Sequence, residues 1–468
     1  MKKTASLVFG MLFLCGGVSA ADAGDVKLFG SMSHMFMTDH SFMTEKFQPL
    51  TFGSAVQMGF QYIASENLSA TVILEAGGGD QHTYFSEWGS GPKMLSGESF
   101  KIKHAYLDWI VPSTKIAVRM GLMSWATPHW ANGPMAHPPI PEVAGVTVNI
   151  PVNQMFTINA GWFRGNNNQG LPELFGTANG TAYYGYNGRD YFYLGATAAG
   201  RGFVVQPWFL YDRMASHNYG LDSDAHLAPN WMPVNKAYDP RPGAHTWNIG
   251  IGGQISAFDP FVIEFNAAYG KQHNPGKIWW TNVNSNAYPQ GGLPNRSGKG
   301  FGLKANVGYK TKYGTPTFDA WYYSGDKRNE EVRTGHMPHN GGSNNIAIMR
   351  TNRSMFVGDG VGNPRVTGTW GAALSWKNFS FLPGLAHTAI VSFWKGTNNV
   401  RYGNLDRGTH DFNYMTTDDR YVEADLITTY QIYPQLTVGL ELAYGWADFK
   451  KIDIDNGWRI TGGIMYKF

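Results

Sequence analysis

The chain ends in the stretch GWRITGGIMYKF, residues 457–468. Apolar and aromatic side chains alternate there with polar or small ones, from Trp458 to Phe468. A period of 2 is the spacing of side chains that share one face of a β-strand. The stretch therefore predicts a strand with one apolar face that ends on an aromatic residue. A soluble β-sandwich that ends on an amphipathic strand is the alternative.

The same alternation recurs upstream in pairs of segments. One pair runs through residues 56–62, turns at Glu66-Asn67 and continues through residues 68–74. Two alternating runs joined by a short polar turn predict a β-hairpin. We count 18 strand candidates, with 16 as the alternative if the weaker ones pair differently. They include a first strand near residues 26–38 and weaker ones near residues 189–198, 203–212, 366–376 and 386–395.

Long polar linkers rich in Gly, Asn and Pro separate the hairpins. They cover residues 77–98, 124–144, 165–188, 213–244, 271–299, 325–365 and 396–419. Short turns at one end and long loops at the other are typical of outer-membrane barrels, with turns in the periplasm and loops outside. We therefore predict an all-β, transmembrane, antiparallel up-and-down barrel. On this fold we interpret Tyr466 and Phe468 as the terminal signal for the barrel-assembly machinery.

Composition excludes several other classes. The 468 residues include 58 Gly, 28 Phe, 24 Tyr and 16 Trp, but only 15% are charged. Ordinary soluble domains are about 25% charged, so a disordered chain, a coiled coil or a typical cytosolic enzyme is disfavoured. The mean hydropathy of -0.29 disfavours a polytopic helical membrane protein. A formal net charge of +3 gives no indication of nucleic-acid binding.

The first 20 residues have the pattern of a cleaved signal peptide. Lys2 and Lys3 precede an apolar run at residues 5–17, and Val18-Ser19-Ala20 is a small-residue cleavage site. The single cysteine, Cys15, lies inside this segment. We predict export and a single barrel domain over residues 21–468. The expected location is the bacterial outer membrane, because an exported chain without disulfides suits a bacterial envelope protein.

Charged residues fall on the strand face opposite the apolar one. A Lys or Arg facing lipid at the membrane midplane costs about 2–4 kcal/mol, so the apolar face must be the outer one. A barrel of 16 to 18 strands has room for an aqueous channel, which charged walls keep hydrated. The predicted pore-lining residues are Glu75, Asp108, Arg119, Glu264, Lys304, Asp319, Glu423, Asp425, Glu441 and Arg459.

The third long loop, residues 124–144, is a candidate constriction. In trimeric porins the third extracellular loop folds into the lumen and narrows it. By that analogy the loop should face wall charges such as Asp108 and Arg119. The alternative is a stiff surface loop that covers the mouth of the barrel. The candidate constriction residues are Trp125, His129, Trp130, His137 and Glu142.

Four segments resemble a known family. They are Ala105-Tyr106-Leu107-Asp108-Trp109, residues 115–122, Asn149-Ile150-Pro151-Val152-Asn153 and Ala160-Gly161-Trp162-Phe163-Arg164. They resemble the homotrimeric outer-membrane porins of sulfate-reducing deltaproteobacteria. The resemblance is strongest over residues 99–164 and at the C-terminus. It implies a homotrimer of water-filled barrels, embedded in outer-membrane lipid, that passes ions and small hydrophilic solutes passively.

Other functions have weaker support. The fourteen histidines are scattered without a helical i, i+4 pair or a Cys partner, so we predict no metal site and no cofactor. No spacing of Ser, His and Asp nominates a catalytic pair, and we predict no enzyme activity. A barrel hydrolase, and a secreted or surface β-rich protein that binds carbohydrate through its aromatic residues, remain the alternatives to a porin.

Overall fold

The computed structural model describes most of the strands and part of the loops. The described residues are 24–40, 47–76, 101–135, 140–167, 188–214, 245–273, 298–325, 327, 346–351, 354–356, 368–400, 415–450 and 456–468. The predicted signal peptide, residues 1–20, lies outside them. Within these ranges, no helix is both long and apolar enough to cross a membrane.

Eighteen long strands form one sheet, and two short strands form a separate hairpin. The sheet contains β1 (Asp25–His40), β2 (Phe47–Ser65), β3 (Leu68–Ala76), β4 (Lys101–Ile110), β5 (Ala117–Trp125), β8 (Ile140–Pro151), β9 (Phe156–Asn167), β10 (Gly188–Gly200), β11 (Phe203–Met214), β12 (His245–Ile255), β13 (Phe261–His273), β14 (Gly298–Tyr309), β15 (Thr315–Tyr323), β16 (Thr369–Phe379), β17 (Leu385–Gly396), β18 (Arg420–Tyr433), β19 (Leu436–Asp448) and β20 (Gly457–Lys467). The hairpin is β6 (His129–Trp130) with β7 (Gly133–Pro134).

The sheet closes on itself through its first and last strands. β1 pairs with β2 on one side and with β20 on the other, so that Phe36 lies opposite both Phe52 and Gly462. All pairings are antiparallel between strands that follow one another around the barrel. The predicted fold class and the count of 18 strands are confirmed, and the alternative of 16 is excluded.

The two ends of the barrel differ in the length of their connections. At one end, called the turn end below, residues 66–67 join β2 to β3 and residues 434–435 join β18 to β19. At the other, called the loop end, residues 77–100 separate β3 from β4 and residues 215–244 separate β11 from β12. By the usual asymmetry of these barrels, the turn end faces the periplasm and the loop end the cell exterior.

Alternation along each strand separates an outer apolar face from an inner polar one. On β14 the outward side chains of Phe301, Leu303 and Val307 are exposed, whereas inward Lys304 and Asn306 are buried. Apolar side chains are thus exposed and polar ones buried, the reverse of a soluble protein, because hydrocarbon replaces water around the outer face. The spanning sheet must be closed, since the hydrocarbon has no partner for unpaired backbone groups.

The last residue of the chain belongs to the closing seam. Phe468 exchanges two backbone hydrogen bonds with Gly30 of β1, with N···O distances of 2.9 and 3.0 Å. Its ring lies over Gly30, where a Cβ atom would come within 2.6 Å of the ring's Cζ. The terminal aromatic residue therefore helps to hold β1 against β20.

Deletion of Phe468 should lower the amount of folded barrel in the outer membrane, because the seam loses two hydrogen bonds and a ring contact. Each hydrogen bond contributes about 0.5–1.5 kcal/mol to stability. Heat-modifiable migration on gels measures the folded fraction. Lys467→Ala is the matched control, since it keeps the backbone bond from Lys467 to Gln435. Unchanged folded levels after the deletion would contradict the assignment.

Candidate permeation pathway

The predicted pore-lining residues all lie on the inner face of the barrel, but their surroundings differ. Asp108 and Arg119 are half-exposed, whereas Glu423 and Glu441 are fully buried. Burial on the inner face means that another part of the chain covers the side chain. The residues therefore divide into charges that face the bore, charges paired within the wall and charges covered by inward-folded loop segments.

Asp108 and Arg119 form the ion pair that is best exposed to the bore. Their strands, β4 and β5, place them directly opposite one another in register. The Arg119 guanidinium donates to both carboxylate oxygens of Asp108, at 2.7 and 3.0 Å. It also lies 4.1 Å from the centroid of the Tyr106 ring. The side chains keep 34% (Asp108) and 41% (Arg119) of their surface exposed, so both can act on a passing ion.

Glu75 and Arg459 are inward residues with partners on the wall itself. Glu75 accepts hydrogen bonds from Lys103 at 2.9 Å and from Gln57 at 2.8 Å, and it is buried. Arg459 pairs with Asp39 of β1 at 3.2 Å. Each pair places an opposite charge beside a buried carboxylate, and less charge remains for the bore than the sequence pattern alone suggested.

The loop after β5 folds into the barrel. Trp125 ends β5, and its ring packs against Phe163 and Tyr193, with centroids 4.5 and 5.4 Å apart. The β6–β7 hairpin follows and contacts β12 and β13. The described part of the loop, residues 126–135, therefore runs along the inner wall from β9 towards β15, and it does not cover the mouth from outside.

The tip of this loop is anchored to the inner wall by polar contacts. Asn132 donates to Asp319 at 2.6 Å, and the Lys304 ammonium donates to the Gly133 carbonyl at 2.6 Å. The Ala131 amide donates to Glu264 at 3.2 Å. Lys304 and Asp319 are only 4% and 3% exposed. The structure thus revises their expected role: these wall charges hold the loop and do not face open water.

A second inward segment, residues 346–351 and 354–356 between β15 and β16, covers the three remaining acids. Glu423 accepts the backbone amides of Met349 and Arg350 at 2.6 and 2.9 Å. Asp425 accepts the amide of Ile348 at 3.2 Å. Charge-assisted bonds of this kind are stronger than neutral ones. Glu423 and Asp425 are therefore anchors for a loop segment, which revises their expected place in the open wall.

Glu441 anchors the other end of the same segment. It accepts the Met355 amide and the Ser354 hydroxyl, both at 2.6 Å. Sequence reasoning missed this inward segment. The sequence feature that could have predicted it is the apolar run Ile346-Ala347-Ile348-Met349 within the loop. Loops on the surface are usually polar, so an apolar run indicates that this part of the loop is buried.

One of the predicted constriction residues lies away from the loop tip. Glu142 belongs to β8 and pairs with Lys101 of β4 at 3.5 Å. His137 lies outside the described residues. Trp130 is at the loop tip and donates from its indole Nε1 to Gln206 at 2.7 Å.

His129 is the titratable group at the loop tip, and its side chain is exposed in the bore. Partial burial of its ring lowers the pKa of His129 below its usual range, and the positive charge of Lys304 lowers it further. Glu264 opposes this by raising the pKa. His129 is therefore mostly neutral at pH 7 and gains a proton only in more acidic solution.

No group of three metal-ligating side chains occurs among the described residues. The two inward segments cover the part of the inner wall that they contact. Strands β2 to β5, which include the Asp108–Arg119 pair, still border the bore. The geometry suits passage of hydrated solutes past charged walls, with the loop tip beside the path.

Comparisons with known proteins give structural relatives only. No protein-family model matches the sequence, and no curated protein matches it. Pseudomonas aeruginosa OprD superposes with a TM-score of 0.53 at 11% identity, covering 96% of this chain and 97% of that one. Acinetobacter baumannii OccAB3 gives 0.53 at 8%, covering 95% and 99%. The outer membrane protein OpdK of P. aeruginosa gives 0.52 at 10%, covering 95% and 98%. These likenesses show a shared barrel fold.

Asn132→Ala should detach the loop tip more often, because it removes a hydrogen bond to a charged acceptor. Such a bond is worth about 1.5–3 kcal/mol, which corresponds to roughly a tenfold or larger rise in the detached population. Single-channel recordings should show a larger or noisier open conductance. Asn149→Ala, on the inner face of β8 and away from the loop tip, is the control. Identical traces for the two variants would show that the tip does not limit the bore.

Acidification below pH 7 should increase anion preference, because His129 becomes positively charged once the pH falls through its lowered pKa. Reversal potentials in a salt gradient measure the change. His129→Asn cannot titrate and should show a smaller shift over the same range. An equal shift in the variant would assign the effect to other groups.

Proposed function

We propose that this protein is an outer-membrane porin, a water-filled channel for passive diffusion of ions and small hydrophilic solutes. The observation that supports this most strongly is the inverted barrel: apolar side chains outside, and a half-exposed ion pair, Asp108–Arg119, inside. Two adjacent charges exposed on an inner wall need water around them, because burying charge in an apolar medium is costly.

Permeation requires no covalent step. An ion crosses the membrane only if the channel replaces the low-dielectric barrier with water and polar walls. The bore supplies those walls, and the loop tip at residues 129–133 supplies a narrow section. We propose that the position of this tip sets the size limit for solutes.

The proposal includes maturation and assembly. Residues 1–20 act as a cleaved signal peptide that directs export to the bacterial outer membrane. The barrel-assembly machinery inserts the mature chain, with Tyr466 and Phe468 as its terminal signal. Three copies assemble into a homotrimer, as in the deltaproteobacterial porins that residues 99–164 resemble. The outer apolar face supports contact with outer-membrane lipid.

Planar-bilayer recording of the purified protein tests the channel and the trimer together. A porin should give stable, ohmic conductance with salt on both sides, and a trimer should close in three equal steps. A protein that remains monodisperse without detergent and gives no conductance would exclude the porin. Single-step closure of a conducting protein would exclude only the trimer.

Arg119→Gln should shift the channel towards cations, because it leaves the Asp108 carboxylate without its partner. A bare charge about 8 Å from an ion in water changes its energy by about 0.5 kcal/mol, or roughly twofold in permeability ratio. Reversal potentials in a salt gradient measure it. Asp108→Asn is the matched variant, because it leaves Arg119 unpaired and should shift preference towards anions. Shifts of the same sign in both variants would remove this pair from the ion path.

A further inference from the structure

Hydrogen-bonding side chains form a belt on the inner wall near the turn end of the barrel. The consecutive strands β9 to β14 each contribute one of them, at a position one to three residues from the turn end of the strand. Asn306 is buried, and the others are half-exposed. The members, called the amide belt below, are Asn159, Thr197, Gln206, Gln254, Glu264 and Asn306.

Thr197 holds the first half of the amide belt together. Its hydroxyl oxygen accepts from Asn159 Nδ2 at 3.2 Å and from Gln206 Nε2 at 3.1 Å. Gln206 in turn accepts from the indole Nε1 of Trp130 at 2.7 Å. Because an indole N–H only donates, Gln206 has to turn its oxygen to Trp130 and its nitrogen to Thr197. The side-chain orientations in this half are therefore fixed by the network.

Glu264 holds the second half together. Its carboxylate accepts from Gln254 Nε2 at 3.3 Å, from Asn306 Nδ2 at 3.0 Å and from the Ala131 amide at 3.2 Å. A carboxylate only accepts, so both side-chain amides have to turn their nitrogens towards it and their oxygens away. Three donors of the protein thus engage the one charge of the amide belt.

The amide belt keeps hydrogen-bonding capacity that no described residue uses. The carbonyl oxygens of Asn159 and Gln254 are left as acceptors. The Thr197 hydroxyl accepts twice, so its own proton is left to be donated, as is the second N–H of each amide. A bound solute must therefore both donate and accept. An anion only accepts and is repelled by Glu264, and a simple cation leaves the donors unused.

Trp130 adds an apolar surface beside the amide belt. Its ring lies against β12 at Gly252, where a Cβ atom would come within 2.8 Å of the ring's Cδ1. The bond to Gln206 fixes one edge of the indole, and part of the side chain stays exposed. A sugar ring has C–H faces that pack on an aromatic ring and hydroxyl groups at its rim that both donate and accept. An indole next to amides suits such a solute.

We propose that the amide belt is a binding site for neutral carbohydrates that pass through the bore. The site rests on the proposed porin function and names a solute class for it. Asn159 and Gln254 accept from sugar hydroxyls, Thr197 donates to one, and the Trp130 ring packs on a C–H face. Neutral hydrogen bonds are individually weak, so the sugar leaves again, as permeation requires.

The test is planar-bilayer recording of the purified protein with two neutral probes, maltotriose and polyethylene glycol of the same hydrodynamic radius. Maltotriose should interrupt the ion current at lower concentration, because the glycol chain has ether oxygens that only accept. Gln254→Ala should raise the maltotriose concentration for half-maximal block about fivefold, since one acceptor is lost. Thr197→Val keeps the side-chain shape without the hydroxyl and should have a similar effect.

Gln61→Ala is the matched control, because Gln61 is a half-exposed inward amide on β2, outside the amide belt. It should change the half-maximal concentration less than about twofold. Heat-modifiable migration should show every variant folded. Trigalacturonate, which has a carboxylate on each sugar unit, should block more weakly than maltotriose because Glu264 repels it.

Three results would each overturn the carbohydrate site while leaving a conducting porin. They are equal block by maltotriose and the glycol, half-maximal concentrations in Gln254→Ala and Thr197→Val that match the wild-type protein or Gln61→Ala, and tighter block by trigalacturonate. A protein that does not conduct at all would instead contradict the porin function itself.

Discussion

The structure depends on the requirement that no backbone hydrogen-bonding group be left unpaired in hydrocarbon. A sheet meets it only by closure, and closure occurs where β1 pairs with β20. Once the sheet is closed, alternation assigns every second side chain to lipid and the others to the interior. The charges of the chain are thereby confined to the interior and the two ends. Whether an inward charge is paired, covered or exposed determines how it acts on a solute in the bore.

Inward loop segments supply the hydrogen-bond partners that charged residues on the inner wall require. A wall carboxylate such as Glu423 needs donors, and a loop segment without regular structure has backbone amides that need acceptors. Contacts of residues 346–351 and 354–356 with Glu423, Asp425 and Glu441 satisfy both needs. The β6–β7 hairpin is held in a similar way by Lys304 on β14 and Asp319 on β15, a few strands away along the same inner wall. Asp108 and Arg119 remain partly exposed on the inner face and, like His129 at the loop tip, can influence a passing ion.

This division explains which features the sequence could predict. Strands, their number and the side that each residue faces follow from a period of 2, which is local information. The role of a wall residue was not predictable, because Lys304 meets Gly133 across 171 positions of sequence. Nothing near Lys304 distinguishes it from Arg119, although one is buried under a loop and the other is exposed. Only the apolar run from Ile346 to Met349 marked a loop segment that had to be buried.

The same alternation also fixes how the barrel sits in the membrane. Outward charges are tolerated only at the ends of strands, since the cost of a lysine falls from about 2–4 kcal/mol at the midplane to near zero at the interface. On β14, Lys299 precedes the apolar outward residues, which run from Phe301 to Tyr309 at the end of the strand. The ten residue steps from Lys299 to Tyr309, at about 3.4 Å each and tilted by about 40°, span roughly 26 Å of membrane. That height is close to the apolar band of about 25 Å expected for such barrels. The outward lysine therefore lies at the edge of the apolar band, which places Lys299 near the headgroups of the outer leaflet.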